Sequence, residues 1–229
     1  MYMGLMIISV IFAGIGWLVQ NQLKSKFRQY NQVGLSNGLS GREIAQKMLE
    51  HHGLYDVQIV QVQGTLSDHY NPQTKTVSLS PEIYQGRSVM AAAVAAHECG
   101  HAVQHAEAYS MLQLRSQLVP LVQISANLQQ YFFLFAFSFF AYMQNPIFII
   151  IAIALFGITT AFSVVTLPVE FDASNRAMKW LEQSGMARGV EYDGAKDALK
   201  WAAMTYVTAA LAAITQLLYL VWLFVGSRD

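Results

Sequence analysis

Long apolar stretches at both ends and in the middle of the chain dominate its pattern of hydrophobic and polar positions. Residues 2–19 precede the first charged residue, Lys24, and residues 201–225 form an uncharged stretch near the other end. Between them, residues 116–169 include no Asp, Glu, Lys or Arg. A single helix through this middle stretch would be about 80 Å long, whereas the hydrocarbon core of a bilayer is ~30 Å thick. We therefore predict a multi-pass membrane protein in which the middle stretch forms two spans.

Asn145 and Pro146, a turn-favouring pair, lie near the centre of the uncharged middle stretch. They place its two predicted spans at residues 120–142 and 146–167, so that the chain has about four transmembrane helices. The N-terminal stretch has no basic segment before it and no small-residue cleavage site after it. We therefore interpret it as an anchor and not as a signal peptide.

The basic residues are distributed asymmetrically across these spans. Eight lie from Lys24 to Arg115, five lie from Arg176 to Lys200, and only Arg228 lies elsewhere. Basic residues favour the cytoplasmic side of a membrane. We therefore expect a protein of the plasma membrane with both polar segments in the cytoplasm and both termini outside.

The composition supports this membrane assignment. Hydrophobic residues make up 54% of the chain and charged residues 12%, whereas roughly a quarter of the residues of a soluble protein are charged. The net charge is zero and no dense basic patch occurs, so we expect no nucleic-acid partner. Cys99 is the single cysteine, which excludes an intrachain disulfide.

The polar segment after the N-terminal anchor has the pattern of a small α+β region. A capping box at residues 40–43 predicts the start of a helix. Residues 57–62 and 76–79 have the composition of strands. Ser88 is the predicted N-cap of a second, longer helix that continues beyond residue 101.

This longer helix includes the sequence His-Glu-Cys-Gly-His at residues 97–101, an HExxH motif. His97 and His101 are four residues apart, so their imidazoles lie on one helix face and can bind the same zinc ion. Glu98 lies beside them, where it can accept a proton from zinc-activated water and pass it to a leaving amine. The motif therefore predicts a zinc-dependent metallopeptidase.

A catalytic zinc ion needs a third protein ligand and an open coordination position. His105 is about 12 Å along the helix from His97, which is too far to share the ion. The metzincin pattern requires a third histidine where this chain has Glu107. Glu170 and Asp172 follow the predicted pair of spans, which returns the chain to the side of the membrane where the motif lies. We predict that Glu170 is the third ligand; an ordinary carboxylate at the membrane interface is the alternative.

Three segments resemble the YugP-type family of bacterial membrane zinc metallopeptidases. They are residues 66–72 (Leu-Ser-Asp-His-Tyr-Asn-Pro), residues 95–105 around the motif, and residues 167–174 (Leu-Pro-Val-Glu-Phe-Asp-Ala-Ser). The resemblance covers nearly the whole chain, including the order of the spans. More remotely, the chain is similar to the HtpX and CAAX-prenyl-protease gluzincins. In those families HExxH is followed, after membrane spans, by a glutamate ligand in an E-x-x-A-D setting.

The resemblance implies peptidase activity and zinc ligation by Glu170. Ala173 matches the alanine of the gluzincin pattern, but Ser174 stands where that pattern has aspartate. Asp172 or Asn175 is then the candidate for supporting the zinc site in place of that aspartate.

Three further residues are candidates for supporting a ligand or binding substrate: His69, Asp172 and His105. For the segment around His69, a role in transition-state stabilisation and a purely structural turn are both open. We expect residues 77–79 to be the edge strand that pairs with an extended substrate. The expected partners are a peptide or membrane-protein substrate and the lipid bilayer, and the sequence identifies no protein partner.

The predicted fold class is mainly α, a multi-pass membrane protein with a small α+β zincin-like cytoplasmic insert. Its predicted segments are an N-terminal transmembrane anchor (1–22), a cytoplasmic zincin-like region with the HExxH helix (23–117), a two-span transmembrane hairpin (118–168), a cytoplasmic helix carrying the third zinc ligand (169–200), and a C-terminal transmembrane helix and tail (201–229).

Two alternative functions stay open beside the main prediction. In an intramembrane zinc protease the HExxH helix would itself cross the bilayer, but residues 89–96 are only eight apolar positions. A non-catalytic zinc-binding scaffold or chaperone would have no use for Glu98. We therefore predict a zinc-dependent metalloendopeptidase that acts at or near the cytoplasmic face of the membrane.

Overall fold

The computed structural model describes residues 2–143 and 147–226, and the side chains of these residues except those of residues 2 and 132–143. This part of the chain is mainly helical and includes one small sheet. Its elements in chain order are α1 (Tyr2–Asn31), α2 (Gly41–His51), β1 (Gln58–Gln61), β2 (His69–Asn71), β3 (Thr76–Leu79), α3 (Pro81–Tyr84), α4 (Val89–Ala106), α5 (Ser110–Met143), α6 (Ile147–Gln183) and α7 (Val190–Gly226).

Within the described residues, three helices are long and apolar enough to cross a membrane: α1, α6 and α7. The remaining predicted span, residues 120–142, lies within α5 but extends into the residues whose side chains are not described. The predicted turn at Asn145 and Pro146 lies outside the described residues. Three candidate spans are therefore found, and the total of four stays a prediction.

The chain forms two compact units. The first comprises Met1–Leu18, Gln113–Leu167 and Thr205–Asp229, and the second comprises Val19–Leu112 and Pro168–Met204. Helices α1, α6 and α7 each contribute residues to both units.

The first unit is a set of helix segments that expose much of their apolar surface. Val10, Leu218 and Trp222 have exposed fractions of 69%, 62% and 67%. A side-chain hydroxyl links two of these helices: Thr160 of α6 donates a hydrogen bond to the backbone carbonyl of Ala213 of α7 at 3.2 Å. Apolar surface this extensive marks a surface that faces lipid or another protein.

The second unit includes a three-stranded sheet with the strand order β1-β3-β2. β1 is parallel to β3, and β2 is antiparallel to it, with Tyr70 opposite Val77. β3 is therefore the central strand, and the prediction that residues 77–79 form an edge strand is wrong. The prediction failed because β2 is only three residues long, too short to show a recognisable alternation of polar and apolar residues.

Both predicted helix caps of the second unit are confirmed. The Ser40 hydroxyl accepts a hydrogen bond from the Glu43 N–H, and the Glu43 carboxylate accepts one from the Ser40 N–H at 2.8 Å. At the start of α4, the Ser88 hydroxyl accepts a hydrogen bond from the Ala91 N–H at 3.1 Å. These caps satisfy N–H groups that a helix leaves without partners in its first turn.

Helix α4 lies at the centre of the core of the second unit, in contact with α2, α3 and two strands. Its alanines before the motif are fully buried: Ala91, Ala92, Ala93, Ala95 and Ala96. Small side chains allow the neighbouring elements to approach α4 closely. The helix that carries the HExxH motif is thereby held from several sides.

Candidate metal centre

The predicted metal ligands come from two helices. His97 and His101 lie one turn apart on α4, and Glu170 lies on α6 directly after the uncharged stretch. Their Nε2 atoms are 3.4 Å (His97) and 3.7 Å (His101) from Oε2 of Glu170. One ligand atom from each residue lies within 4.8 Å of the other two. The structure therefore brings the three predicted ligands to one point.

These separations fit a tetrahedral zinc ion. Two ligands at about 2.0–2.1 Å from such an ion are about 3.4 Å apart, and the nitrogen-to-carboxylate distances here are 3.4 and 3.7 Å. His101 and Glu170 are buried, whereas 14% of the His97 side chain is exposed. Two imidazoles and one carboxylate are also a donor set of known catalytic zinc sites. The residues present could therefore hold zinc.

The other ring nitrogen of each histidine also has a partner. Nδ1 of His97 is 3.1 Å from the Ser174 hydroxyl, and Nδ1 of His101 is 3.0 Å from Oε1 of Gln104. The Gln104 oxygen is an acceptor, so the His101 proton lies on Nδ1 and leaves Nε2 free to bind a metal. Ser174 stands where the gluzincin pattern has aspartate, and its hydroxyl contacts the predicted ligand His97 directly.

Gln104 is a residue of the site that the sequence reasoning missed. It is fully buried, and its amide nitrogen donates both to the Val169 carbonyl and to Oδ2 of Asp172, each at 2.8 Å. Asp172 thus contacts the predicted ligand His101 through Gln104, and it also accepts a hydrogen bond from Arg176 at 2.5 Å. The position of Gln104 three residues after His101, on the same helix face, was the signal that could have found it.

The two helices that carry the ligands approach each other closely at Gly100. A Cβ atom added at Gly100 would lie 2.5 Å from the Ala173 carbonyl oxygen. On the facing side of α6, Ala173 and Ala177 are fully buried. A glycine opposite alanines therefore lets α6 bring Glu170 next to the histidines of α4.

Glu98 is 8% exposed and lies beside the ligands. Burial raises the pKa of Glu98, and the negative charge of Glu170 adds to this increase. The charges of His97 and His101 lower the pKa, but the net result is a raised pKa. For His101, burial lowers the pKa, but the hydrogen bond with Glu170 and the two carboxylates raise it above its usual value. Glu98 thus interacts electrostatically with all three predicted ligands.

The remaining candidates lie outside this cluster. Nδ1 of the exposed His69 is 2.8 Å from the Ser67 carbonyl, within its own turn. Nδ1 of His105 is 2.9 Å from the Tyr70 hydroxyl, and burial raises the pKa of Tyr70 to about 12, so Tyr70 keeps its proton. Asn175 is exposed and lies on α6. His105 thus links α4 to β2.

Asp68 and Cys99 have structural contacts. Asp68 accepts hydrogen bonds from the backbone N–H of Ser80 at 2.7 Å and from its hydroxyl at 3.2 Å, so it joins the start of β2 to the end of β3. Burial raises the pKa of Asp68 and also that of Cys99, which is fully buried with Sγ 3.6 Å from the Ala45 carbonyl.

Comparison with known proteins adds independent evidence. Residues 5–225 match a family described as "Putative neutral zinc metallopeptidase". The chain is 39% identical over 222 residues to the "Putative membrane protease YugP" of Bacillus subtilis (strain 168), and the alignment covers 97% of each chain. No solved structure matches the chain.

Proposed function

Because this chain belongs to that family of neutral zinc metallopeptidases, we propose that it hydrolyses peptide bonds at the cytoplasmic face of the plasma membrane. The observation that carries the proposal is the convergence of His97, His101 and Glu170 at zinc-binding distances next to Glu98. A structural zinc site needs four protein ligands and no acid–base group. The arrangement favours catalysis over a scaffold role.

Each residue of the site has a separate task in this proposal. His97, His101 and Glu170 hold zinc, which when bound polarises a carbonyl group and lowers the pKa of water. Glu98 takes a proton from the attacking water and delivers it to the departing amine nitrogen. Ser174 and Gln104 hold the two imidazole rings in orientation through their Nδ1 atoms.

The edge of β2 opposite β3, which pairs with no other strand of the described residues, is the proposed binding site for the substrate backbone. β2 pairs on one side with β3, and Tyr70 of β2 contacts α4 through His105 at 2.9 Å. An extended peptide added along an exposed strand edge forms main-chain hydrogen bonds without a sequence requirement. β2 replaces β3 in this role because β3 has a neighbour on each side.

The distribution of basic residues and the candidate spans support the proposed location. Thirteen of the fourteen Lys and Arg residues lie in the two polar segments. Helix α4 is not among the candidate spans found in the described residues, which favours a site beside the membrane over an intramembrane protease.

Zinc affinity and peptide turnover, measured together on the purified full chain, test the proposal. Glu98→Gln keeps the three ligands, so zinc affinity should stay near normal while turnover falls by ~10²–10⁴-fold. Glu170→Gln removes an anionic ligand, so zinc affinity should fall and excess zinc should partly restore turnover. Glu82→Gln, an exposed change on α3, is the matched control and should alter neither quantity.

Two results would contradict the assignments. Normal turnover by Glu98→Gln would show that the protein is not a metallopeptidase of this type. If Asp172→Asn lost zinc while Glu170→Gln kept it, the assignment of Glu170 as the third ligand would be wrong, and Asp172 would be the ligand. Otherwise Asp172→Asn should reduce zinc affinity by only ~10–100-fold, because Asp172 acts through Gln104.

A further inference from the structure

A cavity of about 420 Å³ lies between α6 and α7, entirely within the second unit. This volume is within the ~300–1,000 Å³ typical of small-molecule sites. Its lining includes three cations, Lys179, Lys196 and Lys200, and a set of apolar side chains. The cavity is separate from the candidate metal ligands, although Ser174 is part of its wall.

The three lysines form no ion pair with a carboxylate in the part of the chain that the structure describes. Within the described residues, no carboxylate lies within 4.0 Å of the ammonium groups of Lys179, Lys196 or Lys200, whereas Lys26 pairs with Asp197 at 2.8 Å. One carboxylate, Glu182, belongs to the lining. The cavity therefore has an excess of positive charge available to a ligand.

On each helix, an apolar residue of the lining lies eight residues from a lysine, and Met178 and Leu199 add apolar surface beside the lysines. On α6, Phe171 precedes Lys179 by eight residues, and on α7, Met204 follows Lys196 by eight residues. Eight residues of helix are about 12 Å. The two helices run in opposite directions through the cavity, so Phe171 and Met204 are at one end and the two lysines at the other.

The apolar end is the end that adjoins the candidate membrane spans. The uncharged stretch of α6 ends one residue before Glu170, and that of α7 begins directly after Lys200. Phe171, at this end, has 41% of its surface exposed. An amphiphile that enters from the bilayer would therefore meet Phe171 and Met204 first, then Lys200, and then Lys179 and Lys196 farther from the apolar stretches.

We propose that this cavity binds the headgroup of an anionic phospholipid, with the phosphate at the lysines and the first acyl carbons along Phe171 and Met204. Basic pockets between membrane helices bind anionic headgroups in this way, and lysine is a common phosphate-binding side chain. A free phosphate or an acidic peptide would satisfy the lysines but would leave the apolar end unused. The proposal does not depend on peptidase activity.

Native mass spectrometry of the detergent-solubilised full chain tests the proposal, with phosphatidylglycerol or phosphatidylcholine added at equal concentration. Wild type should retain phosphatidylglycerol preferentially. In the triple variant Lys179→Gln/Lys196→Gln/Lys200→Gln, the amount of bound phosphatidylglycerol should fall at least tenfold. Each lysine near a membrane surface contributes roughly fivefold to anionic-lipid binding. All three lysines are exposed, so the variant should fold normally.

The control removes the same charge from exposed positions outside the cavity, by changing Lys24, Lys47 and Lys75 to Gln. This variant should retain phosphatidylglycerol like wild type. Equal losses in both triple variants would overturn the proposal in favour of general surface charge. Equal retention of the two lipids by wild type would overturn it as well. So would displacement of bound phosphatidylglycerol by a soluble acidic peptide or by inorganic phosphate at comparable concentration.

Discussion

Gln104 connects the two helices that carry the proposed metal ligands. One end of its amide accepts a hydrogen bond from His101, and the other end donates to the carbonyl of Val169, the residue before Glu170. Because the side chain is fully buried, water cannot replace either bond without rearrangement. A single amide thus orients one ligand on α4 and the backbone next to another on α6.

We expect Gln104→Glu to weaken zinc binding by ~10–100-fold, the loss typical of residues that hold a metal ligand in place. A carboxylate at position 104 still accepts from His101, but it loses the bond to the Val169 carbonyl and lies beside Asp172. Zinc affinity is measured by competition with a chelator. The matched control is Gln183→Glu, an exposed position on α6 that should have no effect.

A second substitution, added to Gln104→Glu, distinguishes two explanations for weaker zinc binding: misplaced ligands and a general loss of stability. In Gln104→Glu/Asp172→Asn, the amide at position 172 can donate to the new carboxylate, so part of the zinc affinity should return. Unchanged affinity in Gln104→Glu itself would show that the α4–α6 link does not position the ligands.

The sequence predicted that His97, His101 and Glu170 lie together, because a single helix and the topology set their relation. The spacing of His97 and His101 determines that they share a face, and the predicted return of the chain after two spans indicated Glu170. The contacts of Gln104 with Val169 and of Ser174 with His97 could not be predicted in the same way, because each joins residues of two helices that are 65 and 77 positions apart in sequence. Their geometry depends on how α4 and α6 pack.

At the scale of the elements, the close approach of α4 and α6 depends on Gly100. Replacement by alanine would normally stabilise a helix by up to ~1 kcal/mol. Here the added methyl group would meet the Ala173 carbonyl oxygen at 2.5 Å, so α6 must move. Such overpacking typically destabilises a protein by ~1–3 kcal/mol. The movement would also carry Glu170 away from His97 and His101.

We therefore expect Gly100→Ala to lower both the thermal unfolding temperature in detergent and the affinity for zinc. The matched control is Gly157→Ala, also within a helix, where an added Cβ has no atom within 4 Å. That variant should keep wild-type zinc affinity and unfold at the same or a higher temperature. Identical behaviour of the two variants would mean that α4 and α6 tolerate a wider separation at the site.

The predictions about elements succeeded where the local sequence was sufficient. Capping residues Ser40 and Ser88 begin their helices as predicted, because a cap involves only the first turn. Two of the three strands were also predicted. The third, β2, has only three residues, and its pairing with β3 depends on a turn in which Asn71 accepts from the backbone of Gln73 and Thr74. Missing β2 led to the wrong edge strand.

At the scale of the whole molecule, composition along the chain is the main evidence for membrane association. Helices α1, α6 and α7 qualify as candidate spans, and large apolar side chains of the first unit are exposed. The second unit includes all of the proposed metal-site residues and most of the basic residues. This separation of apolar and basic sequence leads to a definite prediction for the orientation in the membrane.

Single-cysteine labelling with a membrane-impermeable maleimide tests that orientation. The native Cys99 is fully buried and its pKa is raised by burial, so it should not react and can remain in place. Lys47→Cys and Arg188→Cys lie in different parts of the second unit, and both should be labelled only after the membrane is opened. Asn145→Cys, between the predicted second and third spans, should be labelled in intact cells.

The pattern of labelling distinguishes two kinds of error. If Lys47→Cys and Arg188→Cys reacted from opposite sides, the predicted pair of spans between α4 and Glu170 would be wrong, and the two helices could not share a zinc ion. If both reacted in intact cells, the proposed metal ligands could still share a zinc ion, but the site would face outward. That orientation would be contrary to the rule that basic segments stay in the cytoplasm. Cytoplasmic labelling of both, with Asn145→Cys outside, is the expected result because thirteen of fourteen basic residues then lie on the cytoplasmic side.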